Sequence, residues 1–120
     1  MYNQHTTHYG EYPPMKITKD ELRRVVVRQF TEGCTSFTFS SFTRYNVLSY
    51  LEKHEIGLEI PPNTTYQGGL NLSDCSRIRE IIWDLIIERY LTIGSYGDDS
   101  WPNFSITERG HAYFAEANKK

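Results

Sequence analysis

Apolar positions recur along this chain with two different periods, and the switch between them marks out the elements. Between residues 73 and 90, Ile78, Ile81, Ile82, Leu85 and Ile86 follow the i, i+3, i+4, i+7, i+8 spacing that lines one side of a helix. Cys75 falls on the same side, while Trp83, Ile87 and Tyr90 form a second, adjacent stripe. Two stripes predict a helix that is either central or partly in contact with a partner. Its polar positions are Arg77, Glu80, Asp84 and Glu88, and three of these are acidic. Beyond the helix the period becomes two: Leu91 and Ile93 flank Thr92, and Phe104 and Ile106 alternate with Ser105 and Thr107, as in a half-buried antiparallel hairpin. Thr107 is placed to cap a last helix, whose short apolar surface is Ala112, Tyr113, Phe114 and Ala117.

The first half of the chain is patterned more weakly. Thr18 and Glu21 make a capping box for a helix over residues 18–32, with Leu22, Val25, Val26 and Phe30 as its buried stripe and Gly33 as a left-handed stop. Arg24 and Arg28 point the other way, each four residues from a carboxylate, Asp20 and Glu32. Residues 35–39 alternate around Phe37 and Phe39 and suit a short strand. Ser40 or Ser41 then caps a second helix to about residue 54, with Tyr45, Val47, Leu48 and Leu51 inside, Asn46, Ser49 and Lys53 outside, and Gly57 beyond its end. Residues 58–72 hold a Pro pair and a Gly pair, which predict a long irregular connection. Residues 1–15, polar and closed by Pro13-Pro14, read as a flexible arm ahead of one α+β domain over residues 16–120.

From Arg77 onward the chain resembles the winged helix of bacterial transcription regulators, most closely the multiple-antibiotic-resistance repressor (MarR) type. The residues that carry the likeness are the Ile-rich helix running into Tyr90-Leu91, the Gly97-Asp98-Asp99 turn, and Ile106-Thr107-Glu108-Arg109-Gly110 after the hairpin. It is also similar to small uncharacterised bacterial winged-helix proteins with Trp-Pro ahead of the same Thr-Glu-x-Gly. The resemblance implies a three-helix core, a short strand, a hairpin wing and a short C-terminal helix. It further implies double-stranded DNA as partner, a homodimer, and a role in transcription regulation. On that reading Ser73, Ser76, Arg77 and Arg79 enter the major groove, while Asn46, Ser49 and Lys53 rest on the backbone. A cluster of Arg24, Arg28, Arg44 and Lys53 with Arg77 would strengthen it.

Charge changes this picture. The net charge is −2 and the isoelectric point about 6.1, whereas a phosphate-binding domain ordinarily carries a basic surplus. Glu80 and Asp84 are expected beside Arg77, and the turn at Gly97-Asp98-Asp99-Ser100 has no Arg or Lys. The alternative function is therefore a protein-interaction winged helix, an adaptor or small subunit of a larger assembly. No P-loop, G-x-S-x-G or H-E-x-x-H occurs, and no cofactor motif, so catalysis is not expected. Two cysteines, Cys34 and Cys75, form no CxxC pair, and His5 and His8 alone are too few for a metal site. With neither a long apolar run nor a leader-like N-terminus, a cytoplasmic location without membrane contact is expected.

Overall fold

A computed structural model describes residues 4–31, 33–95 and 97–119. Helix α1 (Lys19–Arg28) begins at the expected capping box: the Thr18 hydroxyl accepts the Glu21 N–H at 3.1 Å, and the Glu21 carboxylate accepts the Thr18 N–H at 3.0 Å. The Thr18 N–H, and after it the Thr18 hydroxyl, hold the Glu21 carboxyl below its usual range. The helix ends at Arg28 with Gln29 as a right-handed cap, four residues ahead of Gly33. Past its end, the Asn118 side-chain amide donates to the carbonyls of Val27 (3.0 Å) and Phe30 (3.3 Å), adding a side-chain bond besides the Phe30 N–H that Val27 already accepts at 3.1 Å.

Strand β2 (Ser36–Thr38) leads directly into α2, a continuous helix in three pieces, Phe39–Ser41, Phe42–Leu48 and Ser49–Lys53. Ser40 and Ser41 lie inside it and do not cap it; Thr38 stands at the cap position, its hydroxyl donating to the Asn103 side chain at 3.0 Å and not to the helix, and the Phe39 N–H donates to the Pro102 carbonyl at 3.0 Å. The middle piece is π-helical, so residues five apart share a side. Phe42 pairs with Val47 and Thr43 with Leu48 in the buried layer, and Tyr45, expected inside, is thrown out to 69% exposure.

Helix α3 (Leu72–Ile87) buries Ile78, Ile81, Ile82 and Leu85, as its spacing predicts. Strands β4 (Leu91–Ile93) and β5 (Asn103–Ile106) follow, then α4 (Glu108–Ala117), whose Gly110 N–H is capped by the Thr107 hydroxyl at 2.9 Å. The sheet order is β2-β5-β4, antiparallel throughout, with Phe37 opposite Phe104 and Leu91 opposite Ile106. The first strand of this sheet thus pairs with the last. Phe30, Phe37, Phe42, Phe104 and Phe114 fill the space between sheet and helices, Phe30 stacked on Phe42 at 5.3 Å and Phe37 on Phe104 at 5.5 Å. Each such ring, fully buried, contributes roughly 1.5–3 kcal/mol. Tyr113 of α4 covers Tyr90 at 3.8 Å, and Trp101 plugs the base of the hairpin between Phe39, Trp83 and Phe104.

Two expectations fail together. Residues 4–15 are tied down where a flexible arm was expected, and part of the 58–72 connection is regular. Thr6–His8 (β1) pairs in parallel with Thr64–Tyr66 (β3, counted in chain order between β2 and β4), with Thr6 opposite Thr64 and His8 opposite Tyr66. His8 stacks on Tyr66 at 4.9 Å, and a His5 ring nitrogen lies 2.7 Å from the Thr65 hydroxyl. Tyr12 and Met15 are buried. The Tyr12 hydroxyl donates to Glu52 at 2.9 Å, and the Met15 N–H donates to Asp74 at 2.8 Å. Polar Thr and His side chains give no hydrophobic period, so this pairing rests on backbone bonds and ring stacking that periodicity does not register.

Candidate functional site

The surface in question is built on α3. At about 100° per residue, Leu72, Ser76, Arg79, Trp83 and Ile87 fall within an arc of about 80° on the side away from the core. Leu72 is 73% exposed, Trp83 37% and Ile87 75%. Between them stand Ser76 and Arg79, joined by a 3.1 Å bond from the guanidinium to the hydroxyl. Ser73 is also exposed, its hydroxyl donating to the Asn71 side chain at 2.6 Å. At one end, Tyr45 and Leu72 line a shallow cavity of about 410 Å³ with Arg44. At the other, Trp83 leans on Trp101 at 5.6 Å.

Arg77, expected on this surface, is turned away from it. Its guanidinium donates to the Ile17 carbonyl at 2.6 Å and to Asp74 at 3.4 Å, and Asp74 is only 2% exposed. The pair fastens the chain entering α1 to the first turns of α3. Asp84 and Glu88 face the same way, paired with Lys19 at 3.7 Å and Arg23 at 2.9 Å. Asp84 therefore does not sit beside a DNA-facing Arg77. Glu80 is exposed.

Of the α2 residues, those brought beside the start of α3 are Ser40, Ser41, Thr43, Arg44 and Tyr45, which share a cavity with Leu72 and Cys75. Asn46, Ser49 and Lys53 are not among them; the Ser49 hydroxyl reaches back to the Arg44 carbonyl at 3.5 Å, and Lys53 is exposed at the end of the helix. The expected basic cluster does not assemble around Arg77. Arg44 donates to the Gln67 carbonyl at 2.9 Å, while Arg24 and Arg28 line grooves on α1. Tyr45 and Leu72 were missed in the sequence because the first depends on the π-helical shift and the second lies at a helix start, where periodicity is weakest.

The hairpin turn is acidic. Gly94 takes φ +101°, Ser95 and Asp98 exchange backbone bonds of 2.7 and 3.0 Å, and Asp98 accepts the N–H and hydroxyl of Ser100 at 3.1 and 2.8 Å. Those Ser100 bonds hold the Asp98 carboxyl below its usual range, and Asp99 beside it is exposed.

Taken together, fold and site define an α+β domain with an apolar, weakly charged outer helix face. No protein-family model matches the chain, and no curated protein or solved structure is significantly similar to it. Among the described residues, no helix is long and apolar enough to cross a membrane.

Proposed function

We propose that this chain is a winged-helix domain acting as a protein-binding module, with the outward face of α3 as its docking surface. The winged-helix assignment is supported by the connectivity, in which the strand after α1 pairs with the second strand of the hairpin that follows α3. The observation that carries the functional reading is that Leu72, Trp83 and Ile87 are exposed around a single cation, Arg79, on the face where a DNA-reading helix needs donors and positive charge. Exposed apolar surface of this kind marks contact with another protein.

A second reading keeps double-stranded DNA as partner and transcription regulation as role. It is favoured by the exposed Ser73, Ser76 and Arg79 in the first turns of α3. Its DNA-contacting set excludes Arg77.

Two measurements separate these readings. Anisotropy of a labelled random duplex at about 50 and about 200 mM salt is expected to show no complex; one that weakens steeply with salt and is lost in Arg79→Ala would instead establish the DNA reading. A photo-crosslinking residue at position 72, in living cells, is expected to trap a discrete protein that Ile87→Ser abolishes, with a crosslinker at position 111 as control. Light scattering on the purified chain shows whether that protein is a second copy.

A further inference from the structure

We propose that the groove between α1 and α4 binds a small organic oxyanion, a molecule with a carboxylate or phosphate head and an apolar body. The site shares no residue with the outward face of α3 and does not depend on its function. The groove encloses about 410 Å³, within the roughly 300–1,000 Å³ typical of small-molecule sites. Arg23, Arg24 and Arg28 line one wall, Tyr113 the other, and Val27 with Ala117 gives the apolar floor. Asp20 is the one carboxylate among the lining residues, and Arg23 is already paired with Glu88, so the head group falls to Arg24.

The wall is preorganised. Arg23 is held by Glu88 at 2.9 Å and also donates to the Tyr113 hydroxyl oxygen at 3.5 Å. That oxygen is the acceptor there, so the Tyr113 O–H remains available as a donor. The ring itself is fixed by its stack on Tyr90, 3.8 Å away and 7° from parallel. Among the described residues no carboxylate lies within ion-pairing distance of Arg24. Its planar fork is free to take both oxygens of a carboxylate or phosphate. Asn118 closes the end without competing, since its amide donors are used on Val27 and Phe30. The resulting site pairs the Arg24 guanidinium and the Tyr113 hydroxyl with apolar surface alongside.

The test is a ¹H–¹⁵N titration of the whole chain with 4-phenylbutyrate, with phenyl phosphate, and with neutral 4-phenylbutyramide. Saturable shifts confined to residues 20–28 and 113–118 are expected from one or both anions, and the tighter of the two identifies the head group. Arg24→Gln, an exposed position, should weaken binding about fivefold or more. Tyr113→Phe, which keeps the stack, should weaken it about threefold. Asp20→Asn should tighten it about twofold. No saturation by about 10 mM, equal binding of the neutral amide, or shifts centred on residues 72–87 would overturn the proposal.

Discussion

The two flanks of α3 invert what a helical wheel suggests. Toward α1, the charged residues Arg77, Asp84 and Glu88 are each taken up by a partner: Ile17 and Asp74, Lys19, and Arg23. Away from it, Leu72, Trp83 and Ile87 stand in water. The polar stripe is an intramolecular seam, and the apolar stripe is the free surface. A charge on a helix is a binding residue only if the rest of the chain leaves it unspent, and here α1 claims most of them.

The sharpest way to break this comparison is at Asp74. Alanine there removes the acceptor of the Met15 N–H and the partner of Arg77, and should cost about 3 kcal/mol in urea denaturation. An unchanged midpoint would dissolve the seam. The next effect is a pH dependence. Burial and the bond to Glu52 push the Tyr12 phenol up to about 12. A phenol whose folded pKa exceeds its unfolded value near 10 contributes stability below about pH 10, and that stability is lost as pH rises toward 12. The loss should be about 1–2 kcal/mol once solvent screening is allowed for, and Tyr12→Phe should lack that part of the alkaline decline.

Arg77→Ala should cost about 2 kcal/mol of stability. Any partner binding should survive it at temperatures where the variant is folded; loss of duplex binding without loss of stability would return Arg77 to the DNA face. Smallest in stability is the pair Leu72→Ser and Ile87→Ser, each within about 0.5 kcal/mol by thermal melting. These two should nonetheless abolish the crosslink to the partner, and a large drop in melting temperature would mean that they pack inside.

Local chemistry was legible in the sequence. The Thr18/Glu21 box, the Thr107 cap, the Ile78–Leu85 stripe and the strand alternation around Phe104 and Ile106 depend on neighbours within a few residues, and each is present, whereas Ile93, expected inward beside Leu91, is exposed on the edge strand. What escaped depends on distant partners. Arg77 is polar on any wheel, and nothing nearby in sequence tells solvent from the carbonyl of Ile17, 60 positions earlier. Asn118 bonds to the end of α1 from 91 residues away, at Val27. The π-helical stretch moved Tyr45 outward because a widened turn alters phase without altering composition. The candidate site was therefore half visible: Ser73, Ser76 and Arg79 lie on the exposed helix, but the apolar residues around them define its character.

The parallel pairing of β1 with β3 also bears on synthesis. Thr6 meets Thr64 only after the intervening residues have been made, which at ribosomal rates of about 5–20 residues per second takes roughly 3–12 s. During that interval the Tyr12 and Met15 N–H groups lack their acceptors, since Gly69 and Asp74 have yet to emerge. The N-terminal segment, settled in the finished molecule, is thus left unpaired in a nascent chain until the middle of the sequence has emerged.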